Sequence, residues 1–68
     1  MIIVVNEKQI EVDGQMTVAA LLQTLGYPER GIAVALDQAV LPRSRWATNL
    51  SELPNPLRLE VVTAVQGG

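Results

Sequence analysis

The chain contains no cysteine and no histidine, and each absence excludes a class of chemistry. Without cysteine the 68 residues cannot form a disulfide or a thiolate metal site, and no side chain can carry a persulfide. Without histidine the commonest general base and the commonest protein ligand for metals are both missing. The sequence therefore argues against a zinc site and against Ser-His catalysis, and we predict no metal ligands.

Charged and aromatic residues are also sparse. Seven acidic and five basic residues give a net charge of −2, and the basic residues form no run. Tyr27 and Trp46 are the only aromatic residues, so nucleic acid is not expected as a partner. The apolar segment 2–5 is too short for a signal peptide or a membrane span. We therefore expect no membrane contact, and the cytoplasm is the default location.

The chain is rich in hydrophobic residues and has the length of one small domain. Hydrophobic residues make up 49% of the sequence, which is enough for a compact core. The β-branched segment 2–5 and the alternating segment 9–12 predict a β-hairpin closed by residues 6–8. Asp13 and Gly14 predict a second turn after this hairpin.

Residues 17–26, TVAALLQTLG, predict a short amphipathic helix. Thr17 is placed to cap its N-terminus, and Gly26 is placed to end it in the left-handed conformation. The predicted apolar stripe consists of Val18, Leu21, Leu22 and Leu25.

Three more strands are predicted at 32–37, 39–41 and 57–65. Segment 43–56 has no clear period, and we interpret it as irregular with one helical turn. Its apolar residues Trp46, Leu50 and Leu53 are expected to be buried.

This order of elements predicts a sheet covered by the helix on one side only. Such a sheet should bury one face and expose the other. The positions expected to face away from the helix are nevertheless apolar: Ile2, Val4, Ala33, Ala35, Val62 and Ala64. We interpret this second apolar face as a surface for partners, with Val4, Val62 and Ala64 as its binding residues.

Four stretches are distinctive when they are read together: VNEKQIEV, TVAALLQTLG, IAVALDQAVLPRSRWA and VTAVQGG. Segment 40–47 and the final VTAVQGG are the most specific of them. Over essentially the whole chain, these stretches resemble the ThiS-type sulfur carriers of thiamine biosynthesis, which are ubiquitin-like β-grasp proteins. Ala20, where a glutamate often completes a capping box, and segment 53–56, where a Gly-Asp turn is usual, depart from the family pattern.

The resemblance implies an α+β fold of the ubiquitin-like β-grasp type. Its expected parts are a mixed sheet of four to five strands, one helix packed on one face, and a flexible C-terminal Gly-Gly tail. We assign residues 1–65 to a single β-grasp domain and residues 66–68 to the tail.

The resemblance also implies a function and a set of partners. An adenylating E1-like enzyme would use ATP and magnesium to activate the Gly68 carboxylate. Sulfur from a desulfurase or a sulfurtransferase would then convert it to a thiocarboxylate, which a thiazole synthase would consume. Gln66 and Gly67 would form the tail that enters the narrow channel of the partner, because glycine has no Cβ to clash there. The chain itself would be a carrier that binds no cofactor, and not an enzyme.

Three alternatives remain open at this level. The same activated Gly-Gly end would suit a ubiquitin-like modifier that is joined to lysines of target proteins. The small subunit of molybdopterin synthase also ends in Gly-Gly, although VTAVQGG and the short length favour the thiamine carrier. The third alternative is a β-grasp interaction module for which the two glycines are dispensable.

Overall fold

A computed structural model describes residues 1–63 of the chain. In these residues one α-helix, five β-strands and two short 3₁₀ helices follow one another. The main elements are β1 (Ile2–Val5), β2 (Lys8–Glu11), α1 (Val18–Thr24), β3 (Ile32–Leu36), β4 (Ala39–Leu41) and β5 (Arg58–Thr63). The 3₁₀ helices, Arg43–Arg45 and Leu50–Glu52, lie between β4 and β5.

The strands of the described residues form one mixed sheet in the order β2-β1-β5-β3-β4. β5 is the central strand: it pairs in parallel with β1 on one side and antiparallel with β3 on the other. Within residues 1–63 the two hairpins, β1-β2 and β3-β4, are therefore joined in the sheet only through β5. One helix over such a mixed sheet is the predicted α+β, β-grasp arrangement, and that prediction is confirmed.

Both hairpins close through two-residue turns with left-handed backbone. Asn6 and Glu7 have φ values of 49° and 70°, and Asp37 and Gln38 have values of 51° and 74°. Positive φ at both central residues defines the type I′ turn, whose twist matches that of the flanking strands. The predicted first turn at 6–8 is one residue shorter in the structure, because Lys8 already belongs to β2.

The start of α1 is capped as predicted. Thr17 has extended backbone, and its Oγ1 accepts a hydrogen bond from the Ala20 N–H at 3.1 Å. The missing glutamate at position 20 removes only the reciprocal half of a capping box. Thr17 alone therefore satisfies one of the free N–H groups at this helix end.

The end of α1 is set by Gly26, whose φ of +90° is accessible to glycine at little cost. The Gly26 and Tyr27 N–H groups donate to the carbonyls of Gln23 and Leu22, both at 3.0 Å, which is the Schellman pattern. Leu25, predicted to lie in the buried stripe, is instead 40% exposed. Leu25 is the C-cap residue: its backbone is still αR and its N–H donates to the Leu21 carbonyl, so it keeps its place in the stripe but lies at the helix end, where the core covers it only in part.

The core lies between the sheet, α1 and the segment that holds the two 3₁₀ helices. Its largest fully buried side chains are Ile3, Leu21, Leu50, Leu57, Leu59, Val18 and Val34. Trp46 is buried too, as predicted, and its Nε1 donates to the Leu41 carbonyl at 3.3 Å. The guanidinium of Arg43 lies 5.1 Å from the centre of the Trp46 ring, so this arginine covers the indole and is not merely solvated.

Segment 43–56 is irregular, as expected, but it contains two 3₁₀ helices where one helical turn was predicted. Leu50 and Leu53 are buried, which confirms the expectation that they belong to the core. The N–H of Leu50 donates to the carbonyl of Met16, and that of Ser51 donates to the carbonyl of Gly14, both at 2.9 Å. These bonds attach the segment to the loop that precedes α1.

Candidate functional site

The face of the sheet opposite α1 is exposed and carries apolar side chains. Along β5 the side chains alternate, so Leu59 and Val61 are buried whereas Arg58, Glu60 and Val62 are exposed. Val62 retains 60% of its accessible surface, and Val40 on the edge strand β4 retains 76%. We call this side of the sheet the outer face.

One part of the outer face is an apolar cluster, which we call the Val62 cluster: Val62, Ala33, Ala35 and Val40. In the register, Ala33 pairs with Val62, and Ala35 pairs with Val40. The two alanines are short, so the two valines rise above them on either side of β3. Val40 was not among the predicted site residues, although its apolar side chain at an outward position of a predicted strand was a usable signal.

Val4, a predicted partner-binding residue, lies elsewhere on the same face. Its neighbours in the register are Gln9 on β2 and Arg58 on β5, and its side chain is half-buried. Arg58 is four residues before Val62 on β5, which corresponds to about 13 Å along a strand. The single apolar surface expected from the sequence is therefore divided in the structure, with Val4 and Ile2 at one end and the Val62 cluster at the other.

Charged side chains border the Val62 cluster. Glu60 pairs with Ala35 and lies on the outer face between Arg58 and Val62. A charged border of this kind lets a small domain expose apolar surface and stay dissolved. The Val62 cluster is thus an exposed apolar group with one charged residue, Glu60, directly beside it.

Three acidic residues, Asp13, Asp37 and Glu60, lie in turns or on the surface of the described residues. Asp37 forms part of the β3-β4 turn, and Asp13 accepts a hydrogen bond from the Gln15 N–H on its Oδ1 at 2.9 Å. Glu60 is an exposed residue of β5, more than 20 residues from either aspartate in sequence. All three are therefore turn or surface residues.

The remaining predicted site residues, Ala64, Gln66, Gly67 and Gly68, lie outside the described residues. The strand that leads to them is β5, which pairs with β3 as far as Thr63. The exposed Val62 therefore precedes Gly68 by six positions in the sequence, on the strand from which the last residues continue. Within residues 1–63, none of the helices is both long enough and apolar enough to span a membrane.

Comparison with protein families gives one result. The family model described as the ThiS family matches residues 3–68, a span that contains Val4, the Val62 cluster and the final glycines. No curated protein matches the chain.

Proposed function

The chain belongs to the ThiS family, whose members are small sulfur carriers in thiamine or related pathways and are not enzymes, and we propose that it supplies the sulfur for the thiazole of thiamine. In this proposal the chain works in the cytoplasm, where ATP is available to its activating enzyme. The sulfur travels on the main-chain carbon of Gly68, so no cysteine is needed for the task.

The proposed chemistry begins with a carboxylate, which is a poor electrophile because its leaving group would be oxide. An E1-like enzyme, with ATP and magnesium, joins the Gly68 carboxylate to AMP and releases pyrophosphate. The outer sulfur of a persulfide on a desulfurase or sulfurtransferase then attacks the acyl carbon, and AMP leaves. A thiol of the partner enzymes cleaves the resulting acyl disulfide: it forms a disulfide with the donor cysteine, and the thiocarboxylate is released. The resulting thiocarboxylate is nucleophilic near neutral pH. It passes its sulfur to a thiazole synthase, and the carrier returns to its carboxylate form.

The partners must hold the carrier body while Gly68 enters their active sites, and the Val62 cluster is suited to this. Exposed apolar side chains are a cost to an isolated domain unless a partner covers them. Two valines that are 60% and 76% exposed, on the half of the sheet from which β5 continues toward Gly68, give a partner an anchor close to the tail. We propose that this cluster, with Ala64 beyond it, contacts both the activating enzyme and the thiazole synthase. Val4 contributes at the margin.

The observation that carries the proposal is the family match, which extends through Gly67 and Gly68. The direct test is intact mass spectrometry after incubation with the activating enzyme, ATP and a sulfur source. The expected gain is the difference between one sulfur and one oxygen atom, and fragmentation should assign it to the C-terminal peptide. A gain on any other peptide would contradict the proposal.

A C-terminal extension provides a second test. One residue added after Gly68 turns its carbonyl into an amide, which ATP cannot activate. Adenylation, measured as ATP–pyrophosphate exchange, should be abolished while the melting temperature stays that of the unmodified chain. Gly67→Val should be almost as damaging, because a β-branched side chain stiffens and widens the segment that the partner channel must admit.

An N-terminal tag is the matched control for that extension. The Met1 amino group donates to the Val12 carbonyl at 3.0 Å, and the amide formed by a tag keeps one N–H for this bond. The tagged protein should therefore be adenylated normally. If the C-terminally extended protein still exchanged pyrophosphate without being trimmed, the Gly68 carboxylate would not be the working group.

Three further observations distinguish the alternative functions. A ladder of larger adducts in a lysate probed for the carrier would indicate a protein modifier. Sulfur transfer to a molybdopterin precursor, but not to thiazole, would indicate the molybdopterin synthase subunit. Normal thiamine synthesis after deletion of Gly67 and Gly68 would leave only the interaction module.

A further inference from the structure

The side chain of Asn6 forms a two-bond pair with the backbone of β5. Its Oδ1 accepts from the Val61 N–H at 2.8 Å, and its Nδ2 donates to the Val61 carbonyl at 3.2 Å. The two residues are 55 positions apart in the sequence. We call this contact the Asn6 clamp.

The Asn6 clamp takes the place of the backbone hydrogen bonds that a longer β1 would make to β5. The parallel ladder between β1 and β5 continues to the Asn6 N–H, which donates to the Leu59 carbonyl at 2.9 Å. At Asn6 the chain turns into the β1-β2 hairpin, so β1 offers no backbone to the next residue of β5 that faces it. The carboxamide supplies one acceptor and one donor in the place where a further strand residue would have offered them.

A second contact joins the clamp to the helix. The Asn6 Nδ2 also donates to the hydroxyl of Tyr27 at 3.1 Å. Tyr27 is the residue whose N–H closes the Schellman motif on Leu22 at the end of α1. The end of the helix, the first hairpin and the last strand are therefore connected through one exposed asparagine side chain.

The position of the clamp along β5 gives it a use beyond stability. Val61 is buried, and it comes directly before Val62 and Thr63, which are paired with β3 on the other side of the strand. The clamp thus holds the β1 side of β5 close to the point where the chain continues toward Gly68. Without it, the last residues of β5 would be held by β3 alone and would sample more directions.

We propose that Asn6 is a positioning residue for the carrier reaction: the Asn6 clamp fixes the direction in which β5 leaves the sheet, so that the Val62 cluster and Gly68 reach the activating enzyme together. This inference rests on the proposed function. A carrier with a misdirected tail binds productively only in the fraction of molecules that have the correct direction, and its apparent affinity falls by that fraction. Adenylation of molecules that are correctly bound is unchanged.

The test compares two glycine substitutions in the same turn. Asn6→Gly keeps the positive φ of the turn and removes the clamp, whereas Glu7→Gly keeps both the turn and the clamp. With the activating enzyme and ATP, Asn6→Gly should raise the KM for the carrier about tenfold, the scale of one or two lost hydrogen bonds, and leave kcat within about twofold. Glu7→Gly should match the wild type in both constants.

A third variant separates positioning from general loss of stability. Thr17→Ala removes the helix cap, whose side-chain hydrogen bond in the described residues is with the Ala20 N–H and not with β5. It should lower the melting temperature in the same way as Asn6→Gly but leave KM unchanged. Amide hydrogen exchange at Val61 should be faster in Asn6→Gly and normal in Thr17→Ala.

The outcomes are distinct. If Asn6→Gly and Thr17→Ala give the same KM, Asn6 has a structural role only and the inference is overturned, while the proposed carrier function stands. If Val61 exchange is unchanged in Asn6→Gly, the clamp does not hold the strand and the inference is likewise overturned. If the wild-type chain is not adenylated at all, the proposed function itself fails.

Discussion

Val61 and Val62 are consecutive residues of the same strand and the same amino acid, yet Val61 is 7% exposed and Val62 is 60% exposed. The difference extends across the sheet. Against α1, the inner face carries large branched side chains that are almost completely buried, whereas the outer face combines short alanines with two exposed valines. Folding explains the apolar residues of the inner face. It does not explain those of the outer face, which are better explained by a partner that covers them.

Among the substitutions that test this difference, the largest loss of stability is expected from one on the inner face. Leu59 is fully buried on β5, the central strand of the sheet, so Leu59→Ala removes packed methyl groups and leaves a cavity. We expect the free energy of unfolding to fall by about 3 kcal/mol, a large share of what so small a domain has. Urea denaturation followed by circular dichroism measures this loss. A loss below about 1 kcal/mol would mean that the inner face is not the core.

The helix that covers the inner face offers a smaller and more local test. Thr17→Ala removes the hydrogen bond from the Ala20 N–H and one methyl group of a half-buried side chain. The expected cost is about 1 kcal/mol, the usual value of an N-cap. Thr17→Ser, which keeps the hydroxyl, is the control and should lose much less. Equal losses in the two variants would show that the methyl group, and not the cap, stabilises this helix end.

A substitution on the outer face is expected to change stability least. It should nevertheless weaken binding to the activating enzyme strongly. Val62→Asp places a charge in the Val62 cluster, where the side chain is mostly in solvent. The free energy of unfolding should change by less than about 1 kcal/mol, the range of strand preferences. Affinity for the activating enzyme, measured by isothermal titration calorimetry, should fall at least tenfold, as is common when a central interface residue is changed.

Gln9→Asp is the matched control for Val62→Asp. Gln9 is exposed on the same face and pairs with Val4, at the opposite end of the outer face from the Val62 cluster. It should leave the affinity nearly unchanged if the Val62 cluster is the centre of the interface. Equal losses from the two substitutions would instead support a surface that extends to Val4. If Val62→Asp unfolded the domain, Val62 would belong to the core.

The strands, the helix and the two faces of each strand could be predicted because they depend on local periods. Alternation along 32–36 separated Val34 from its alanine neighbours, and Thr17 and Gly26 marked the helix ends by their own preferences. The exposure of Leu25 could not be predicted. Its backbone follows the helix as expected, and only the packing at the helix end leaves its side chain 40% exposed.

The arrangement of the outer face could not be predicted, because it depends on which strands pair and in what register. Because β1 and β5 are parallel neighbours, Val4 lies beside Arg58, which is about 13 Å along β5 from Val62. The Asn6 clamp could not be predicted either, for the same reason. Asn6 reads as an ordinary turn residue, and only the tertiary structure brings its carboxamide to Val61.

The central position of β5 has a consequence for how the carrier is made. The pairings of β5 with β1 span more than 50 residues, so they form late, after the two hairpins and α1 have been synthesised. A chain that lacks β5 has two separate hairpins and no continuous outer face. The strand that leads to Gly68 is therefore also the strand that completes the sheet, and a partner that requires the Val62 cluster will engage only chains that have finished folding.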